Sequence, residues 1–177
     1  MKHHHSRKAD FDFRWPDPPL NVVLVHPEIP PNTGNIARLC AATGSRLHLV
    51  EPLGFKITDS QLRRAGLDYW DDVQVRVHPS WEACREAIGP TRFHLFTTGS
   101  SRPHTGPDYR PGDTLVFGCE TQGLPDELLA AHPGSLVGIP ILTDHVRSLN
   151  LSSAAAVAVY EALRQINSRE PESGAAP

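Results

Sequence analysis

Six short apolar runs, each four to six residues long, alternate along this chain with polar or amphipathic segments. The runs contain many valines, leucines and phenylalanines, and they are bounded by prolines, glycines or polar turns. The first run predicts a buried β-strand, and the alternation of apolar and polar residues at 46–50 and 73–77 predicts strands there as well. The predicted strands are residues 21–26, 46–50, 73–77, 92–97, 114–118 and 136–139.

The segment after the first run predicts a helix that ends near residue 43, with Gly44 as its C-terminal stop. Pro30 and Pro31 are expected to exclude regular structure before Asn32. Asn32 or Thr33 is therefore the predicted cap, because either side chain can accept a hydrogen bond from a free N–H of the first turn.

Other helices are predicted at residues 58–66, 80–88 and 125–131. Ser80 is the expected cap of the second of these, and Pro125 is expected to occupy the first position of the third. Strands that alternate with helices predict an α/β fold with a mainly parallel sheet.

The C-terminal stretch at residues 146–166 is polar in its first half and strongly apolar in its second. Ser148, Asn150 or Ser152 can cap the helix that the second half predicts. Residues 154–159 include four alanines, whose small side chains would let another backbone approach closely. The stretch fits either a core helix with an ordinary cap or a helix start that forms a ligand site next to an oligomer interface.

Ligands of open parallel sheets bind at the carboxyl ends of the strands. Three loops of this chain follow predicted strand ends in its C-terminal half, at residues 98–102, 118–123 and 139–149. Two of them contain a glycine where a ligand could approach the backbone closely.

The length of 177 residues predicts one domain, which we place at residues 21–166. Residues 1–20 contain three consecutive histidines and three prolines without an apolar centre, so we expect a disordered or tag-like lead rather than a secretion signal. Residues 167–177 predict a flexible tail. No apolar run approaches the ~18 residues of a membrane span, and no membrane association is expected.

The three cysteines, Cys40, Cys84 and Cys119, show no C-x-x-C spacing. They predict neither a disulfide framework nor a zinc site, and they favour a reducing cytoplasm. The net charge of -3 excludes a generally basic nucleic-acid binder. Any RNA contact must therefore depend on a local cluster of cations.

Several common catalytic signatures are absent from the sequence. No phosphate-binding loop, G-x-G-x-x-G, G-x-S-x-G or H-E-x-x-H motif occurs. The histidines show no spacing typical of metal ligands, so no metal site is predicted.

Three polar motifs occur in a fixed order and carry a resemblance to a known family. They are Asn-Thr-Gly-Asn-Ile-Ala-Arg at 32–38, Phe-Gly-Cys-Glu-Thr-Gln-Gly-Leu-Pro at 117–125, and Arg-Ser-Leu-Asn-Leu-Ser-Ser at 147–153. Together they resemble the three motifs of the SPOUT-class RNA ribose 2′-O-methyltransferases. The longer strings at 27–40 and 63–69 resemble the compact subfamily that acts on the wobble nucleotide of tRNA.

The resemblance implies an α/β fold with helices on both faces of the sheet and a deep trefoil knot in the C-terminal third. It implies methylation of the ribose 2′-hydroxyl of the wobble nucleotide (nucleotide 34, cytidine or modified uridine) in tRNA. The methyl donor would be S-adenosylmethionine, with S-adenosylhomocysteine as product and no metal. A homodimer is implied, with the first and last helices at its interface. The alternatives are the same chemistry on another tRNA position or on ribosomal RNA, and a catalytically silent RNA-binding dimer.

The resemblance also assigns cofactor contacts to Phe96, Gly118, Ile139, Ser148 and Leu149. The assignment is chemically reasonable, because adenine binds in an apolar slot with backbone donors and acceptors. Two departures from the subfamily concern this site. Cys119 stands where the subfamily usually has proline, which is expected to loosen the cofactor loop, and the connection at 141–147 looks one residue longer.

Arg38 is the residue to which the resemblance gives the central role in the reaction. The family account makes it the general base, but a guanidinium group holds its proton at neutral pH. We therefore expect Arg38 to position the nucleotide and to stabilise developing alkoxide charge. Ser148 and Asn150 are expected to fix the ribose hydroxyl or Arg38. Asn32 and Glu120 are expected to orient the site, Glu120 by accepting from backbone N–H groups or from Arg38.

Overall fold

The computed structural model describes residues 11–57, 74–143 and 145–169. All six predicted strands are present; β2 has the predicted bounds, and the bounds of the other five differ from the prediction by one or two residues. They are β1 (Asn21–Val25), β2 (Arg46–Val50), β3 (Val75–His78), β4 (Phe93–Phe96), β5 (Thr114–Phe117) and β6 (Leu136–Val137). The helix predicted at 58–66 lies outside the described residues.

The six strands form one parallel sheet in the order β3-β2-β1-β5-β4-β6. From β1 the chain first builds outward through β2 to β3, and the remaining strands lie on the other side of β1. The order therefore reverses between β1 and β5, and the carboxyl ends of these two strands are where a ligand crevice is expected. The predicted α/β class is confirmed.

Helices cover both faces of the sheet. They are α1 (Pro30–Thr43), α2 (Trp81–Ile88), α3 (Asp126–Ala131) and α4 (Leu151–Asn167). One face packs on α1 and α4, and the other face packs on α2 and the segment that leads into α3. Alternate residues of β1 belong to the two cores, because successive side chains of a strand point to opposite faces.

The start of α1 differs from the prediction. The helix begins at Pro30, and Ile29 is its N-cap without a side-chain cap bond, so the predicted cap at Asn32 or Thr33 is wrong. Two prolines fit the first turn because the N–H groups there need no partner within the helix. Gly44 ends the helix in the left-handed conformation, as predicted.

The other helix ends agree more closely with the sequence. The Ser80 side chain accepts a hydrogen bond from the Ala83 N–H at the start of α2. Pro125 is the N-cap of α3, so the helix begins at Asp126, one residue later than predicted. Of the three candidate caps of α4, Asn150 is the residue whose side chain accepts from the Ser152 N–H.

Part of the N-terminal lead lies against the domain. Phe13 packs on the core between the sheet and α4, and Leu20 is fully buried. The Arg14 N–H donates to the Asn167 side chain at 2.8 Å. The boundaries at residues 20 and 167 stay predictions. In the parts of the chain described by the structure, no helix has the length and apolar character needed to cross a bilayer.

Candidate active site at the carboxyl edge of the sheet

The loops that leave β1 and β5 are joined through the carboxylate of Glu120. This carboxylate accepts hydrogen bonds from the Glu28 N–H at 2.8 Å, the Ile29 N–H at 3.3 Å and the Asn32 side-chain amide at 2.9 Å. The negative charge thus lies at the N-terminus of α1, where the helix dipole favours it. Glu120 thus fixes, from another loop, the backbone that leads into α1, including the N–H of its N-cap residue Ile29.

Asn32 extends the contact from Glu120 to the last helix. Its side-chain oxygen accepts from the Asn150 amide at 2.9 Å, while its own amide donates to Glu120. The Asn150 oxygen accepts from the Ser152 N–H at 2.9 Å and the Ser152 hydroxyl at 2.7 Å. Glu120, Asn32 and Asn150 form one network, which we call the motif network, and each comes from a different sequence motif.

Glu28 is a functional candidate that sequence reasoning missed. Its carboxylate accepts from the Thr121 N–H at 3.2 Å and from the Thr121 hydroxyl at 3.0 Å. The backbone of Glu28 donates to Glu120 in return, so the two loops hold each other by reciprocal bonds. The available signal was an acidic residue between the first strand and the proline pair, but nothing local indicated its partner.

Gly118, directly after β5, is packed against the backbone of the loop that it begins. A Cβ atom at this position would lie 1.9 Å from the Gly123 carbonyl carbon and 2.1 Å from the Leu124 nitrogen. Cys119 and Gly123 exchange two backbone hydrogen bonds, of 3.1 and 3.0 Å. A proline at 119 could not donate the first of these, so the cysteine adds a bond to this turn. The expected loosening of the loop by Cys119 does not follow from this geometry.

The apolar cofactor candidates lie at neighbouring strand ends. Phe96, the last residue of β4, is buried and stacks on Phe117 with ring centroids 4.7 Å apart. Ile139 is half-buried against the same core, and Leu149 leaves 39% of its surface exposed. Gly138, which the sequence placed inside a strand, also permits a close approach, since its Cβ would lie 2.6 Å from the Ser100 carbonyl oxygen.

Arg38 and Ser148 both lie on exposed surface. Arg38 shares the exposed face of α1 with Asn35 and Ala42, three residues before it and four after it, as the helical spacing predicts. Ser148 lies two residues before the cap of α4. The motif network holds together α1, which carries Arg38, and the start of α4, which directly follows the loop that carries Ser148.

Replacing Glu120 with glutamine is expected to destabilise the protein by about 2 kcal/mol and to lower its activity. A glutamine side chain has one acceptor oxygen and one NH2 group, which is a donor. Since all three groups that bind Glu120 are donors, at least one of them would face the NH2 group and lose its hydrogen bond. Equilibrium urea unfolding measures the loss. Glu86→Gln on the exposed surface of α2 is the matched control, expected to stay within about 0.5 kcal/mol of the parent. Equal stability of the two variants would contradict the role given to Glu120.

Residues 19–160 match the SpoU rRNA Methylase family. A tRNA (cytidine(34)-2'-O)-methyltransferase of Methylovorus glucosotrophus is 52% identical over 147 residues, which cover 82% of this chain and 95% of that protein. The protein of the same name from Escherichia coli K12 is 51% identical, and the match covers 83% of this chain and 94% of that protein.

Solved structures agree with these relatives. One solved structure concerns the 2-OH methylation of C/U34 on tRNA, and its chain is 46% identical to this one. The two superpose with a TM-score of 0.80 over 85% of this chain and 97% of the other chain. The SpoU methyltransferase AviRb of Streptomyces viridochromogenes, solved in complex with AdoMet, is 25% identical with a TM-score of 0.71. It covers 89% of this chain and 59% of that one.

Proposed function

The chain belongs to the SpoU rRNA methylase family, and we propose that it methylates the ribose 2′-hydroxyl of the wobble nucleotide, position 34, of tRNA. The observation that carries this proposal is the identity of about half of the aligned residues with tRNA (cytidine(34)-2'-O)-methyltransferases, in matches that cover nearly the whole length of those proteins. The motif network supports it, because residues of three separate motifs meet at the strand ends where the fold places ligands.

S-adenosylmethionine is the proposed methyl donor, and the residues present fit it. Phe96 and Ile139 offer an apolar surface at adjacent strand ends, with Leu149 open beside the start of α4. Backbone near Gly118 and Gly138 offers the donors and acceptors that adenine and ribose need. When bound, this cofactor supplies an electrophilic methyl group. The AdoMet complex of AviRb supports the same choice.

In the proposed reaction the ribose 2′-oxygen forms a bond to the methyl carbon, the carbon–sulfur bond breaks, and the hydroxyl proton leaves to solvent. Arg38 binds the nucleotide from the exposed face of α1 and stabilises the negative charge that develops on the 2′-oxygen. Ser148 and Asn150 orient the hydroxyl or the Arg38 fork. Glu120 and Asn32 keep the two helix starts in place. No metal takes part in this scheme.

Contact with tRNA is proposed to depend on local cations, because the net charge of the chain is -3. Three exposed arginines lie on elements at or near the carboxyl edge: Arg38 on α1, Arg102 after β4, and Arg147 before α4. We propose that these arginines supply phosphate contacts at a restricted site without making the whole protein a general RNA binder.

We propose a homodimer for this protein, with α1 and α4 at its interface. In the monomer, α4 exposes Val157 and Tyr160, two large apolar side chains next to small alanines. The deep trefoil knot is likewise proposed from the family resemblance. A cytoplasmic location is proposed from the tRNA substrate and from three free cysteines.

Labelled methyl transfer from S-adenosylmethionine to separate pools of tRNA and ribosomal RNA tests the proposal. We expect label in tRNA and none in ribosomal RNA. Label in ribosomal RNA alone would favour the alternative substrate that the family description names. Cofactor binding without transfer to any RNA would favour the silent RNA-binding dimer.

A further inference from the structure

Three metal-ligating side chains meet on the face of the sheet opposite to α1 and α4. His48 comes from the middle of β2, His78 from the end of β3 and Cys84 from α2. All three are buried, with 2%, 6% and 0% of their surfaces exposed. His48 lies two residues before Val50, which packs in the same core as Cys84, so the cluster is on the α2 face of the sheet. The opposite face packs on α1 and α4.

The three ligand atoms are close enough for one ion. One nitrogen of each ring and the Cys84 sulfur all lie within 4.8 Å of one another. His48 Nδ1 and His78 Nε2 are 2.9 Å apart, and the two rings are inclined by only 20°. In a tetrahedral zinc site with bonds of about 2.0–2.3 Å, neighbouring ligand atoms are separated by about 3.3–3.7 Å. Small side-chain movements would reach that geometry.

We propose that His48, His78 and Cys84 bind a zinc-class divalent cation, with water or another group as the fourth ligand. Two imidazoles and one thiolate suit zinc, whereas oxygen ligands would suit magnesium or calcium. The site would be structural, because it joins the edge strand β3 and α2 to β2 and lies on the face of the sheet opposite to α1 and α4.

The buried His48 ring has one polar atom without a protein partner. Its Nε2 makes no hydrogen bond, while Nδ1 is paired with His78. A neutral imidazole keeps one ring nitrogen with a lone pair that can bind a metal. Burial lowers the pKa of His48 to about 4, helped by His78 and by Arg76, and burial also lowers the pKa of His78. The proton shared by the two rings would move to an outer nitrogen, with no net change in charge.

Cys84 must lose a proton to become a ligand. Burial raises the pKa of its thiol to about 12, so without a metal the sulfur is protonated. On binding, the S–H bond breaks, a sulfur–metal bond forms and the proton leaves to solvent. Arg46 and Arg76 lie close enough to disfavour positive charge at His48, so the thiolate is needed to offset part of the charge of the ion.

Cobalt(II) titration of the full chain tests this site directly. Cobalt replaces zinc in such sites, and a bound thiolate gives it a charge-transfer absorption band in the near ultraviolet. The parent for this test carries His3→Ala, His4→Ala and His5→Ala, because three consecutive histidines bind metal on their own. We expect one cobalt per chain and a thiolate band. If the parent shows no thiolate band with cobalt, the proposal is wrong.

Two matched cysteine variants assign the band. Cys84→Ser should abolish it, and Cys119→Ser should keep it, since Cys119 lies at the carboxyl edge of the sheet. Zinc should also raise the melting temperature of the parent and of Cys119→Ser, because a ligand that binds only the native state stabilises it. Zinc should leave Cys84→Ser unchanged. A band that survives Cys84→Ser, or equal zinc stabilisation of both variants, would contradict the site.

Discussion

Arg38→Ala is expected to lower the rate constant for methyl transfer to tRNA by about a thousandfold, while S-adenosylmethionine binding weakens by less than about threefold. The reason is that Arg38, on the exposed face of α1, is proposed to act on the nucleotide, whereas Phe96, Ile139 and Leu149 are proposed to hold the cofactor. Its loss removes charge stabilisation at the 2′-oxygen and leaves the cofactor site intact. Single-turnover transfer and calorimetric cofactor titration measure the two quantities separately.

Two further variants sharpen the test of Arg38. Arg85→Ala removes another exposed helical arginine, on α2, and should leave transfer unchanged. Arg38→Lys keeps the positive charge but loses the planar fork, so it should retain part of the activity. Near-normal transfer by Arg38→Ala would show that this residue does not stabilise the reacting oxygen.

Gly118→Ala is expected to have the largest effect on the cofactor loop. The new Cβ would lie 1.9 Å from the Gly123 carbonyl carbon, and the obstructing atoms belong to backbone that is itself tied by two hydrogen bonds to Cys119. The loop must therefore move. We expect a loss of about 3 kcal/mol or more in unfolding free energy, equal to a melting temperature lower by roughly 6–12 °C, and at least tenfold weaker cofactor binding.

Gly134→Ala is the control for this steric effect. A Cβ at Gly134 meets no atom within 4 Å, and the residue lies in the short 3-10 turn before β6. Its stability should change by less than about 1 kcal/mol. Thermal unfolding monitored by circular dichroism compares the two variants. Gly118→Ala with the stability and cofactor affinity of Gly134→Ala would contradict the close packing described here.

The inner strands β1 and β5 were predictable from sequence because each is a short apolar run that is buried on both faces. The edge strand β3, in which Arg76 and Val77 are exposed, was predictable from its alternating pattern. The order of the strands was not predictable from periodicity, since it depends on contacts between segments far apart in the chain. The start of α1 shows the same limit. Its capping partner, Glu120, lies 92 residues from Glu28, so local signals pointed to Asn32 instead.

The candidate site was likewise predictable from the sequence only in part. Asn32, Glu120 and Asn150 could be named from motifs, but their hydrogen bonds to one another required the fold. Glu28 carried no local signal for its bond to Thr121. His48, His78 and Cys84 come from three elements at spacings that match no metal motif, so the sequence predicted no site there. Catalytic roles for Arg38 and Ser148 stay predictions.

Mapping the methylated nucleotide tests the central claim most directly. Transfer-RNA lacking its wobble methyl group would be incubated with the protein and S-adenosylmethionine, digested with nucleases and analysed by mass spectrometry. The account predicts one added methyl group on the ribose 2′-oxygen of nucleotide 34, absent with Arg38→Ala. A methyl group on a base, or on the ribose of a nucleotide outside the anticodon, would contradict it.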